Sequence, residues 1–202
     1  MSTQLKTNVQ TSPSRFTPAQ QTQLLKLARQ SIAHYLTTGE TLRPEATDPA
    51  LERPAGAFVT LRQRGDGFTP KTARLRGCIG HVEGERPLLQ VVADMAIKAA
   101  TQDPRFPPVS LAELDDICLE ISVLSPLEPL TDVNQIELGI HGLVIVSGWR
   151  RGLLLPQVPI QFGWTREEFL AGICRKASLE PDAWQTAELF TFTTTSFEET
   201  GD

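Results

Sequence analysis

The sequence predicts an α+β fold, with a mostly antiparallel sheet flanked by helices. Three observations carry this. Strand-like segments come in pairs joined by turn chemistry, which is the mark of hairpins. Segments of helical period lie between the pairs instead of alternating one-for-one with strands, which argues against a doubly wound parallel sheet. The chain has 202 residues, 40% of them hydrophobic, enough to bury about 70% of its extended surface in one large domain.

The elements follow in order. Residues 1–16 are polar and are expected to form a loose tail, with a single domain over 17–199. Thr17-Pro18-Ala19-Gln20 is a capping box with proline at the first helical position. Leu24, Leu27, Ala28, Ile32, Tyr35 and Leu36 recur at helical spacing until Gly39 stops them. Residues 40–55 read as a long loop. Gly56 to Gln63 and Leu75 to Val82 form a hairpin around the turn Arg64-Gly65-Asp66-Gly67, and two glycines mark the second arm as unusual. Pro87 opens a helix with Leu88, Val92, Met95, Ala96 and Ala99 on one face and an Asp94–Lys98 pair on the other. Ser110-Leu111-Ala112-Glu113 caps a short helical turn, and Ile117 to Val123 alternate as a half-buried strand. Residues 125–135 are loop. Gly142–Ser147 and Leu153–Leu155 form a second hairpin, Thr165 to Glu168 cap a third helix, and residues 188–197 close the chain as one strand with Phe190 and Phe192 on one face.

Composition narrows the function classes. The net charge is −5, which disfavours generic nucleic-acid binding. No apolar run is long enough to span a membrane, and the polar start carries no secretory signal, so a cytoplasmic protein is expected. Three scattered cysteines, Cys78, Cys118 and Cys174, give no disulfide framework. Phosphate-loop, dinucleotide, His-Glu-x-x-His and nucleophile-elbow signatures are absent.

The most unusual stretch is Arg74-Leu75-Arg76-Gly77-Cys78-Ile79-Gly80-His81. Unbroken alternation places Arg74, Arg76, Cys78 and Gly80 on one face and Leu75, Gly77 and Ile79 on the other. Two guanidiniums beside one thiol favour the thiolate, and their forks suit a phosphate or carboxylate. Cys78, Arg76 and His81 are therefore the catalytic candidates, with His81 as base if the strand bends after Gly80. Arg74, Gly77, Gly80, Asp103 and Arg105 are the ligand-binding candidates. The same residues also fit a packing role, with a small buried thiol at a tight crossing and arginines reaching solvent. Cys78 and His81 alone do not make a metal site, and no metal or cofactor is expected. Arg62, Arg64, Lys71, Arg74 and Arg76 form a local basic cluster that hints at a small anionic ligand. Asp103-Pro104-Arg105-Phe106 is a polar turn whose aspartate either caps the turn or pairs with an arginine of that cluster. Trp149 sits in a turn as a candidate contact.

Several of these segments occur together in one known family. Gly56 to Leu61, Leu75 to Gly80, Asp103 to Phe106, Ile121 to Pro126, Gly139 to Gly142, Gly152 to Val158 and Phe169 to Ala177 stand in the order found there. The chain resembles the AMMECR family over about residues 17–199, and Leu75 to Gly80 is that family's hallmark. The resemblance implies an antiparallel sheet flanked by helices, a smaller subdomain beside it, and a hallmark near a cleft between them. It also implies that the chain works with a Memo-like protein and a radical SAM protein, as the AMMECR component of the AmmeMemoRadiSam set. No catalytic role comes with it. Two readings follow: a ligand- or partner-binding accessory protein, or a thiol-dependent enzyme with Cys78 as nucleophile, Arg74 and Arg76 stabilising an anionic substrate, and His81 or Asp103 as proton handler. The enzyme requires Cys78 on the floor of an open pocket with a base in reach. The binding module requires an exposed apolar patch, expected near Trp149 and Leu153–Leu155.

Overall fold

The computed structural model describes residues 16–44, 48–64 and 74–199. The chain starts on helix α1 (Pro18–Thr38), where the Thr17 side chain accepts from the Gln20 N–H and the Gln20 side chain accepts from the Thr17 N–H. Gly39, at φ 76°, adopts the left-handed conformation that ends the helix. Strands β1 (Ala57–Gln63) and β2 (Arg74–His81) then pair as the expected antiparallel hairpin. Helix α2 (Leu88–Thr101) and strand β3 (Ile117–Leu124) follow. The first sheet runs β2-β1-β3-β8, with β8 (Thr194–Glu198) returning from the end of the chain.

Alternation along the strands sorts this sheet into two unlike faces. Ala57, Val59 and Leu61 of β1 and Leu119, Ile121 and Val123 of β3 are buried under α1 and α2, in one cluster with Leu24, Ile32, Val92 and Ala96. Each valine, leucine or isoleucine among them contributes roughly 1.5–3 kcal/mol on burial. The opposite face carries Thr60, Arg62, Glu120, Ser122, Ser196 and Glu198, and Ser122 and Ser196 share a 2.8 Å hydrogen bond.

The second sheet is formed by β4 (Glu128–Pro129), β5 (Gly142–Ser147), β6 (Arg150–Leu154) and β7 (Glu188–Phe192), in the order β4-β7-β5-β6. Helices α3 (Gln157–Phe162) and α4 (Arg166–Lys176) lie between β6 and β7 in the chain. Phe169, Leu170 and Ile173 of α4 bury against Leu143 and Ile145. The two sheets meet through Leu124, Val144 and Phe192, with Phe58, Val82 and Phe190 packed alongside.

Five features depart from the sequence expectations. The single closing strand is two strands in different sheets, parted at Thr193. Phe190 and Phe192 do share a face, opposite Val144 and Gly142. The second hairpin turns on two residues, Gly148 and Trp149, because Ser147 pairs with Arg150. Helix α3 occupies a stretch without an expected element, since Pro156 and Pro159 fall at its N-cap and first turn, where their missing N–H groups have no intrahelical partner. Asp94 pairs with Arg86 at 2.5 Å instead of with Lys98. Phe16, at the end of the expected tail, is buried against Phe197, with ring centroids 6.2 Å apart. Residues 1–15, Lys71 and the turn 65–67 lie outside the described residues.

Candidate functional site

Strand β2 lies at the edge of the first sheet, so one side of its backbone needs partners other than a strand. The Asp103–Phe106 turn supplies them. The Cys78 N–H donates to Asp103 Oδ2 at 2.8 Å, and Arg105 Nη2 donates to the Cys78 carbonyl at 3.3 Å. Arg105 also grips Asp103, with Nε on Oδ1 at 2.9 Å and Nη2 on Oδ2 at 2.7 Å. The pair therefore occupies both backbone groups of Cys78 as a neighbouring strand would. The Asp103 side chain is 1% exposed. The Arg105 guanidinium holds its carboxyl well below the usual carboxylate range, with the Cys78 and Arg105 N–H groups adding to the effect against the cost of burial. Arg105 is raised in turn, chiefly by its bonds to Asp103.

Gly77 and Gly80 have separate steric causes. A Cβ on Gly77 would stand 2.1 Å from the Ala99 carbonyl oxygen, so α2 crosses this strand at backbone contact. A Cβ on Gly80 would stand 2.2 Å from the Phe58 ring, which packs where the two sheets meet. At both positions the close packing leaves no room for a Cβ.

The arginines do not flank the thiol. Leu61 pairs with Gly77 while Arg62 pairs with Leu75, so Arg76 sits in a bulge and the alternation breaks there. Leu75 joins the face of Cys78, and Arg74, opposite Gln63, joins the other. Arg76 is buried; it binds Glu113 through Nε and Nη2 and the Pro107 carbonyl through Nη1 at 2.9 Å. Its partner Glu113 is held below its ordinary pKa, first by these bonds. Arg76 thus ties β2 to the turn before β3 and is not an electrostatic stabiliser at Cys78.

His81 is also misplaced for catalysis. It pairs with Ala57, which shares the helix-packed face with Val59 and Leu61, whereas Cys78 pairs with Thr60 on the opposite face. No bend after Gly80 brings the imidazole round, because the ladder continues to His81. Asp103 is a poor base because its charge is already stabilised. What touches the half-buried Cys78 sulfur is Thr60, whose hydroxyl donates to Sγ at 3.3 Å.

Thr60 begins a row that sequence inspection missed. Cys78, Thr60, Glu120 and Glu198 are successive cross-strand partners over four strands. Arg62 Nε reaches Glu120 at 3.2 Å. Glu198 is pushed above its ordinary value, first by burial and then by the Glu120 charge beside it. Only strand order makes this row, and the sequence contains no signal for it.

Two cavities lined by described residues lie away from Cys78. One of about 320 Å³ runs along Ala55, Gly56, Val82, Glu83 and Leu124–Leu127, where the sheets adjoin. Another of about 300 Å³ lies between α1, the loop after it and α2. Cys78 lines neither. Among the described residues, no group of three or more His, Cys, Asp or Glu side chains is placed to hold a metal ion, and no helix is long and apolar enough to cross a membrane.

Comparison with known proteins shows the family. The AMMECR1 family model matches residues 25–197. A protein of Thermococcus onnurineus (strain NA1) is 46% identical over 184 residues, covering 87% of this chain and 88% of that one. A protein of Methanothermobacter thermautotrophicus is 43% identical over 187 residues, covering 88% and 93%. The crystal structure of uncharacterized protein PH0010 from Pyrococcus horikoshii superposes with a TM-score of 0.78 at 43% identity, covering 87% of this chain and 89% of that one. The α+β fold is shared, and this chain belongs to the AMMECR1 family.

Proposed function

We propose that this chain is a binding module and not a thiol enzyme, and that it serves as the AMMECR component of an AmmeMemoRadiSam-type set by docking a Memo-like or radical SAM partner. The observation that carries this reading is the set of large apolar side chains left open on the second-sheet half. Trp149 is 89% exposed at the tip of the β5–β6 hairpin, where Arg150 stacks on it at 5.4 Å. On α3, Ile160 is 61% and Phe162 66% exposed. Ile160 lies over Gly139 beside the exposed Ile140, and Phe162 stacks on Trp164 at 5.2 Å. Large apolar groups exposed together on a folded domain mark interaction surfaces, and aromatic anchors of this type dominate interface energies. Leu153 and Leu155, expected in the same patch, are instead packed between the sheets.

The thiol-enzyme alternative loses support from the same geometry. Cys78 has a hydroxyl donor and a backbone clamp, and no base hydrogen-bonds its sulfur among the described residues. The test is co-purification of the Memo-like and radical SAM proteins with the full chain. Wild type and Cys78→Ser are expected to retain a partner equally. Phe162→Asp and Trp149→Asp are expected to weaken retention by about tenfold or more each, the scale of an interface anchor. Loss of retention on Cys78→Ser alone would contradict the proposal.

A further inference from the structure

Three of the arginines expected to receive an anionic ligand are already satisfied by carboxylates of the chain: Arg62 by Glu120, Arg76 by Glu113 and Arg105 by Asp103. The cavity between α1 and α2 shows the opposite state. Its floor is apolar. Leu27 and Leu89 belong to the main core, and Leu42 packs back onto it after Gly39 reverses the chain. Its rim carries Lys26, Gln30 and Arg43. Lys26 and Gln30 stand one helical turn apart on α1, and Arg43 faces them from the loop. None of the described lining residues is acidic. Neither Lys26 nor Arg43 makes an ion pair among the described residues. In a chain with 24 acidic and 19 basic side chains, two unneutralised cations over one concavity run against the overall charge.

We propose that this cavity is a binding site for a small organic anion, with a carboxylate or phosphate head between Lys26 and Arg43 and a short apolar body on Leu27, Leu42 and Leu89. The volume of about 300 Å³ falls at the low end of small-molecule sites, which span roughly 300–1,000 Å³ with an apolar lining and a few placed polar groups. The guanidinium of Arg43 offers a two-pronged fork to an oxyanion, and Lys26 adds a point charge on a flexible stem. Gln30 supplies a neutral amide that donates to the head without competing for the cations. The head stays at the wet rim while the body covers leucine surface, so no charge is buried unpaired. This site is independent of the partner-docking surface proposed above, which lies on the second-sheet half.

The test is a titration of the ¹⁵N-labelled full chain with phenyl phosphate and with benzoate, followed by backbone amide shifts. Probe concentrations reach about 10 mM, at which even a 1 mM site is about nine-tenths filled. Saturable shifts at Lys26, Leu27, Leu42 and Leu89 with either probe are expected, and the stronger probe identifies the preferred head. Inorganic phosphate, which lacks the apolar body, and benzyl alcohol, which lacks the charge, should each bind at least about tenfold more weakly. Lys26→Ala and Arg43→Ala should each raise the Kd by about tenfold, as loss of a charged hydrogen bond does. Arg43→Lys should retain part of the affinity. Unchanged amide spectra away from the cavity establish that the variants fold. Absence of localised shifts with both probes would overturn the proposal. So would equal binding of inorganic phosphate, or a Kd that neither alanine variant moves.

Discussion

The surroundings of Cys78 and the cavity over Leu27 are built from the same residue types in opposite states. At Cys78 the cations and carboxylates neutralise one another, and their remaining hydrogen bonds go to backbone: Asp103 and Arg105 to Cys78, and Arg76 to Pro107. At the cavity, Lys26 and Arg43 stand over leucines with no ion-pair partner among the described residues. The contrast separates a motif that is unusual because packing demands it from a surface that is unusual because nothing in the fold demands it. The segment Leu75–Gly80 is of the first kind. Its glycines admit a backbone and a ring, and its cysteine N–H is the anchor of a clamp.

Three changes sharpen the comparison, from the largest expected effect to the smallest. Gly77→Ala should destabilise by more than about 3 kcal/mol, because the clash is with the Ala99 backbone oxygen and no rotamer relieves it. Urea unfolding measures this, and Lys26→Ala at the cavity should stay within about 0.5 kcal/mol of wild type in the same assay. The second concerns pH. The carboxyl of Asp103 is depressed when folded, so its contribution is fully present above its unfolded pKa of about 3.9 and is lost as pH falls below that. Wild type should therefore lose stability between about pH 5 and pH 2, and Asp103→Asn should lose about 2 kcal/mol less over that window, the scale of a charged hydrogen bond. The third is a gain. Glu198 is raised by burial and by Glu120 opposite it, so its ionised form costs stability that grows as pH rises through its folded pKa. Glu198→Gln should stabilise the protein at pH 7 by about 0.2–1 kcal/mol, read from the midpoint of thermal unfolding.

Local signals were legible where local chemistry decides. The capping boxes at Thr17 and Thr165 form as read, because donor and acceptor lie three residues apart. The alternation of Ile117 to Val123 marks the strand whose one face lies on the helices. Of the two roles open to Asp103, the turn contact holds, in that it accepts the Arg105 N–H at 3.1 Å, while the arginine it pairs with is that same Arg105 and not one from the basic cluster. What failed depends on tertiary register. Nothing in Arg74 to His81 reveals that Arg76 is skipped in the ladder, yet that one bulge moves Leu75 onto the face of Cys78 and gives Arg76 to Glu113. His81 qualifies as a base only if the strand bends after Gly80, and the ladder instead runs on to His81 and leaves it on the other face. Thr193 separates two strands because the chain changes sheets there, and the alternation on either side of it is uninterrupted in the sequence.

The most direct test of the claim that this motif is a clamp is the urea unfolding of Asp103→Ala beside that of Cys78→Ser at pH 7. Asp103→Ala leaves the Cys78 N–H without its acceptor and Arg105 without its partner. It should lose about 2–4 kcal/mol, below the full cost of breaking a buried pair because Arg105 is 54% exposed. Cys78→Ser keeps the backbone contacts and the Thr60 neighbour, and should lose less than about 1 kcal/mol. If Asp103→Ala unfolds with wild-type stability, Asp103 is not holding the strand, and its pairing with Arg105 beside the thiol must be explained by chemistry instead.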